Sequence, residues 1–266
     1  MPFVRLPTGI NAYYGRVGSG PPVVLIMGTG LDHAHWDRQV EAYSREFECV
    51  VFDNRGTGKT DIGDAELTVR LMAEDAAALI GALDIGAAHV SGLSLGSCIA
   101  QELVLMRPDL VRTLQLHGTW ARPHGYAERK FRAQVRLLKL LDLRNFYEIN
   151  VLWFVTPEFM RDHPEEVDRQ IEAIVESAPS KEGILAQYSA NLTHDTLDRL
   201  GNVSVPTLVT VGSSDFALPE MYGREVAEAI PGAEFSVIHP GGHLHNIDNA
   251  MDFNRVTLDF MKRHTV

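Results

Sequence analysis

Five consecutive residues, Gly92-Leu93-Ser94-Leu95-Gly96, set a serine between two glycines at the spacing G-x-S-x-G, with the small Ser97 directly after. A hydroxyl carried on so tight a turn suits nucleophilic attack on a carbonyl, since only small neighbours let the chain bend sharply enough to present it. A serine is a poor nucleophile at its ordinary pKa, so the chemistry also needs a base beside it and a third group to orient that base.

Eleven histidines compete for the base. His243 ends the glycine-rich string Pro240-Gly241-Gly242-His243, just past the last strand-like run, while His239 and His245 stand close enough to remain alternatives. Most others, such as His33, His35, His124, His163, His194 and His264, fall in segments expected on the surface or in a helical insertion. For the acid, the string from Thr207 to Pro219 offers Asp215 just past a strand end. A buried carboxylate there would hold the imidazole and stabilise its cation.

These residues need a frame. Short apolar, β-branched runs recur at Val23 to Met27, Glu48 to Asp53, Ala88 to Ser94, Arg112 to Gly118, Thr207 to Gly212 and Glu234 to Pro240, each reading as a buried strand. Helix-period segments lie between or after them at Trp36 to Ser44, Thr68 to Leu83 with Thr68 as N-cap, Leu95 to Met106, Pro219 to Ala229 and Asn249 to His264. Such alternation predicts an α/β fold, a mostly parallel sheet flanked by helices. It breaks once: residues 121–200 read as helix throughout, an inserted lid over the carboxyl edge of a core formed by 1–120 and 201–266.

A second string, Phe52 to Asp61 (FDNRGTGKTD), imitates a phosphate-binding loop. The motif requires a glycine five positions before Gly58, and Asp53 stands there, a carboxylate facing where phosphate oxygens would lie. No helix opens after Lys59-Thr60, so the string reads as a scaffolding loop in which Arg55 anchors its neighbours.

Composition narrows the partners. The 266-residue chain carries a net charge of -11, which argues against nucleic acid, and 45% apolar residues, enough for a full core. Its two cysteines, Cys49 and Cys98, sit in apolar runs without metal-ligand spacing and read as small buried hydrophobes. No stretch is long and apolar enough for a membrane span, and no leader pattern opens the chain, which points to a cytoplasmic protein.

The order Ser94, Asp215, His243, with the strings from Val23 to Asp37 and Phe52 to Asp61, and Asp248 five residues after the histidine, resembles lid-bearing α/β-hydrolases, and among them the esterases and lactonases grouped with 3-oxoadipate enol-lactonase. The resemblance spans nearly the whole chain. It implies an oxyanion hole built from the backbone N–H groups of Leu95 and Thr29, donors worth on the order of 3 kcal/mol each in acyl transfer. Met27-Gly28 stands where the family often has His-Gly, which keeps the backbone donor and removes any network built on that histidine.

The expectation is a serine hydrolase of a small-molecule carboxylic ester or lactone, needing no metal or cofactor. Alternatives are carbon–carbon bond hydrolysis of a vinylogous diketone by the same triad, or a non-catalytic binding protein. Trp120, Trp153, Phe154 and Phe216 are the expected substrate contacts, with Phe146, Tyr147 and Tyr188 further candidates. Arg122, Arg129 and Arg132 are candidates to receive a substrate carboxylate; aminopeptidase action is disfavoured for want of a clear acidic pair in the insertion, with Glu165-Glu166 the nearest approach to one.

Overall fold

A computed structural model describes residues 1–177 and 180–265. Eight strands form one sheet: β1 (Phe3–Arg5), β2 (Asn11–Val17), β3 (Pro22–Ile26), β4 (Glu48–Phe52), β5 (Ala88–Leu93), β6 (Val111–His117), β7 (Thr207–Gly212) and β8 (Glu234–Ile238), in the spatial order β1-β2-β4-β3-β5-β6-β7-β8. Strands β3 to β8 run parallel, and β1 and β2 pair antiparallel at one edge. The parallel strands are rich in apolar, β-branched residues because helices cover the sheet; Val23, Val24, Leu25 and Ile26 are wholly buried.

The covering helices are α1 (Asp37–Tyr43), α2 (Val69–Ala82) and α3 (Leu95–Met106). Five more, α4 (Tyr126–Leu140), α5 (Leu143–Phe154), α6 (Pro157–Asp162), α7 (Pro164–Ser177) and α8 (Lys181–Thr193), intervene between β6 and β7. Then come α9 (Glu220–Ala229), the single turn α10 (His245–Asp248) and α11 (Ala250–Arg263). Thr68 caps α2 by accepting the Leu71 N–H, as its residue type demands, and Asn249 caps α11 through the Asp252 N–H. None of these helices is long and apolar enough to cross a membrane.

The helices between β6 and β7 are amphipathic rather than apolar all round. α4 buries Ala127, Phe131, Gln134 and Leu138, and α7 buries Val167, Ile171 and Ile174, stripes at the three- and four-residue spacing of one helix face. Edge strands β1 and β2 are absent from the sequence reading; β1 is three residues long, and β2 ends in two exposed residues, so neither shows an apolar run.

Because β3 to β8 are parallel, the loops that follow them emerge at one edge. Ser94, Asp215, His243 and the loop after β3 are thereby brought to the same side of the sheet, the place where open α/β sheets bind ligands.

Candidate active site

Ser94 sits between β5 and α3 with φ 55° and ψ -121°, a left-handed conformation that a side chain resists. Holding it there costs on the order of 1–3 kcal/mol, supplied by the surrounding packing. The flanking glycines explain how the chain closes: a Cβ on Gly92 would lie 2.2 Å from the Gly96 carbonyl oxygen, and one on Gly96 would lie 2.0 Å from that of Ile26. The Ser94 N–H donates to His117 O at 2.8 Å and the Ser97 hydroxyl to Ser94 O at 2.6 Å, pinning the turn on both sides.

His243 lies in the turn after β8, its Nδ1 2.8 Å from Asp215 Oδ2, and both side chains are almost completely buried. Asp215 Oδ1 accepts the Leu218 N–H at 2.7 Å, so both carboxylate oxygens are engaged. A proton on Nδ1 held by Asp215 leaves Nε2 free to act as a base. No hydrogen bond joins Ser94 Oγ to His243 among the described residues; the two meet as walls of one cavity.

The other nearby histidines have different work. His239 is exposed, with Nδ1 2.9 Å from Ser213 Oγ. His245 is fully buried, its Nε2 2.8 Å from Thr210 Oγ1 and its Nδ1 3.1 Å from the His243 carbonyl oxygen. Burial lowers it to about 4, so it is a neutral brace under the turn that carries His243. Asp248 also supports that turn: its Oδ2 accepts the N–H groups of Gly242 at 2.9 Å and Thr156 at 3.0 Å, and burial pushes its carboxyl up to about 6.

The cavity is floored by Leu93 and Ser94, walled by Gly28, Thr29 and Leu31 on one side and His243 and Leu244 on another, and roofed by Lys130 and Phe131 of α4, Phe154 of α5 and Tyr188 of α8. About 20 Å³ of it is open to the centre of a water-sized sphere, room for about one water. An ideal Cβ on Gly28 would stand 3.6 Å from Ser94 Oγ, so the loop after β3 runs directly beside the hydroxyl. Neither Thr29 N–H nor Leu95 N–H has a hydrogen-bond partner among the described residues; Leu95 opens α3, where the first N–H groups have none within the helix.

Phe154 is the expected contact that lines this cavity, its ring centroid 6.0 Å from that of His243. Trp120, Trp153 and Phe216 lie outside it. Trp120 is wholly buried against Phe131, their centroids 5.0 Å apart; Trp153 packs half-buried on the core, and Phe216 is half-exposed. Of the further aromatic candidates Tyr188 lines the cavity, while Phe146 and Tyr147 are buried behind it.

The arginine candidates also fall elsewhere: Arg122 pairs with Asp195 and Asp198, Arg132 with Glu128, and Arg129 is exposed. Glu165 is exposed and Glu166 pairs with Arg38. The charged residue that lines the cavity is their neighbour Lys130, which has no ion pair among the described residues. Its Nζ lies 5.3 Å from the Phe131 ring centroid; burial lowers the amine to about 8, with the Asp215 charge pulling the other way. A signal for it was present, because Lys130 stands three residues after Ala127 and four before Gln134, on the buried stripe of α4.

In the loop from Asp53 to Asp61 the charged side chains Asp53 and Arg55 are engaged by the protein itself. Asp53 accepts the His33 N–H and the Lys59 N–H, and Arg55 is buried in a two-pronged pair with Asp75 while donating to Thr8 O and Ile62 O. Asp32, His33 and Asp53 converge, but their atoms are taken up by this loop bonding and by the turn that Asp32 caps. Cys49 and Cys98 are free and buried, which pushes both thiols up, Cys49 to about 12.

Known proteins resemble this chain over nearly its whole length. A protein of Azorhizobium caulinodans named as a carbamate hydrolase, RutD, is 29% identical over 252 residues, 94% of each chain. The crystal structure of an enol-lactonase from Burkholderia xenovorans superposes with a TM-score of 0.91 at 24% identity, over 98% of this chain and all of the other. A thermophilic esterase from Thermogutta terrifontis gives 0.91 at 27% identity over the full length of both. The family model for the alpha/beta hydrolase fold matches residues 21–250. With the parallel sheet, the strained serine between β5 and α3 and the loops gathered at one edge, the chain belongs to the alpha/beta hydrolase fold family.

Proposed function

We propose that this hydrolase cleaves a small-molecule carboxylic ester or lactone through an acyl-enzyme on Ser94. The observation that carries the reading is the strained Ser94 sharing a small cavity with His243, whose Nδ1 meets Asp215 at 2.8 Å.

Ser94 Oγ attacks the carbonyl carbon as its proton passes to His243 Nε2, and the carbonyl electron pair moves onto oxygen. The N–H groups of Thr29 and Leu95 receive that oxyanion. Collapse expels the alcohol, which takes the proton from His243; water activated by the same histidine then releases the acid and restores Ser94. Asp215 keeps the imidazole in the productive tautomer and stabilises its cation.

Residues 121–200 act as the lid of a core made by the remainder. Their aromatic roof limits the access of water, and Phe131, Phe154 and Tyr188 move aside to admit a substrate, since the cavity has room for about one water. Lys130 gives that roof an unpaired positive charge, which favours an acyl or alcohol part bearing an anion over a neutral one.

The likeness to a carbamate hydrolase keeps carbamates, acyl derivatives open to the same attack, on the test panel. Turnover of p-nitrophenyl acetate, lactones, carbamates and anionic esters by wild type and Ser94→Ala tests the reading. Loss of every activity in Ser94→Ala supports it; steady turnover that survives the substitution overturns it, and wild type inert to the whole panel supports a binding role instead.

A further inference from the structure

The loop after β3 carries Thr29, yet side chains that belong to the inserted helices hold it. The Gly30 N–H donates to Gln187 Oε1 at 2.8 Å, and the Gly30 carbonyl accepts from the Tyr147 hydroxyl at 2.8 Å. Thr29 Oγ1 accepts from Asn191 Nδ2 at 2.9 Å. The other end of Gln187 donates to the Arg55 carbonyl at 2.9 Å, so one amide joins this loop to the one after β4. Gln187, Asn191 and Tyr147 are at most 2% exposed.

Three buried polar side chains from α5 and α8 thus end on two adjacent residues at the rim of the cavity. A buried amide or phenol left without a partner would cost about 1–3 kcal/mol, so these bonds lock the insertion and the loop into one arrangement.

The two N–H groups beside Ser94 are supported differently. Leu95 opens α3, and the helix dictates where its N–H points. Thr29 lies in neither helix nor strand, and Gly30, the residue that follows it, has both its N–H and its carbonyl bonded to the insertion.

We propose that Tyr147, Gln187 and Asn191 are positioning residues for the Thr29 N–H, so that half of the oxyanion hole is aligned by the inserted helices rather than by the sheet. The inference rests on the hydrolase reading above. Closure of the insertion then does more than exclude water: it brings one oxyanion donor into line, and an opened insertion leaves that donor without its braces. Displacing a catalytic group by about 1 Å can cost about 100-fold in rate, so loss of one brace is felt in the transition state more than in substrate binding.

Tyr147→Phe removes the bond to the Gly30 carbonyl, and Gln187→Met removes the bond to the Gly30 N–H together with that to the Arg55 carbonyl; each keeps the side chain's bulk. Both are compared with wild type on p-nitrophenyl acetate, and for binding of a trifluoromethyl ketone, whose serine adduct places an oxyanion in the same hole. The expected result is a fall in kcat of about 10-fold or more with KM within about two-fold, and a matching rise in the ketone's inhibition constant.

Gln134→Met separates positioning from general loosening. It breaks a buried bond inside the insertion, from Gln134 Nε2 to Asn150 Oδ1 at 2.6 Å, without touching the loop. It should lower the melting temperature and leave kcat and ketone binding close to wild type. The proposal is overturned if Tyr147→Phe and Gln187→Met keep wild-type kcat and ketone affinity, or if Gln134→Met loses as much of both. Persistent turnover by Ser94→Ala sinks the hydrolase reading itself; an inert Ser94→Ala beside unaffected brace variants sinks only the positioning role.

Discussion

Asp248 accepts two backbone N–H groups on one oxygen, while its other oxygen is buried without a partner. Burial therefore outweighs the two bonds, and the carboxyl titrates at about 6 in the native protein against an ordinary 3.8. Between these values the folded state binds more protons than the unfolded chain, so this group's contribution to stability falls as pH rises from about 4 to about 6 and is flat above. The full difference is worth roughly 3 kcal/mol, an upper bound because the side chain keeps some contact with solvent.

Asp248→Asn keeps an oxygen to accept from Gly242 and Thr156 but carries no charge at any pH. Whatever constant effect the amide has, the stability of the variant relative to wild type should improve by about 2–3 kcal/mol between pH 4 and pH 7. Urea unfolding of both proteins at unit pH steps measures this. A difference that stays flat, or that grows in favour of wild type, refutes the reasoning.

Lys130→Met should raise the melting temperature at pH 7 by a few degrees, roughly 2–4 °C per kcal/mol recovered, because the native state no longer houses an unpaired cation. Its amine is lowered to about 8, so the gain is full below that pH and shrinks as pH rises toward the ordinary lysine value; a gain that is unchanged at pH 10 contradicts the cause. The same variant should lose more kcat/KM on an ester bearing a carboxylate than on a neutral ester, read from paired substrates. Arg55→Ala removes the buried pair with Asp75 and two bonds to carbonyls, and should cost about 3–5 kcal/mol in urea unfolding; a loss under ~1 kcal/mol would show that the loop is held by other means. Asp215→Asn should lower kcat about 10³- to 10⁴-fold with little change in KM, since an amide no longer holds the productive tautomer of His243; a ten-fold fall would remove Asp215 from that role.

The parts of the fold that were legible are those governed by local pattern. The inner strands β3 to β7 are almost wholly buried, so each carries the short β-branched, apolar-rich pattern of a covered strand, and the cap Thr68 announces α2 by residue type. The turn at Ser94 was legible for a related reason: its glycines are required by contacts with residues close in sequence or on the adjoining strand.

The cavity was not legible in the same way. Its roof depends on how α4, α5 and α8 rotate against the sheet, and an aromatic side chain reads alike whether it faces a cavity or the core. Trp120 therefore reads as a substrate contact and is instead buried against Phe131, whereas Lys130 reads like the arginines around it, which are exposed or paired with surface acids. The brace from Gln187 to Gly30 spans 157 positions, beyond any short-range pattern.

The proposed reaction turns on an acyl group carried by Ser94. It is tested most directly by mixing the enzyme with excess p-nitrophenyl acetate, quenching in acid within the first turnovers, and mapping the added mass by peptide mass spectrometry. A p-nitrophenolate burst close to one equivalent and an acetyl group on Ser94 are expected, both lost in Ser94→Ala. Full turnover with the acetyl group on another residue, or with an undiminished burst from Ser94→Ala, contradicts it.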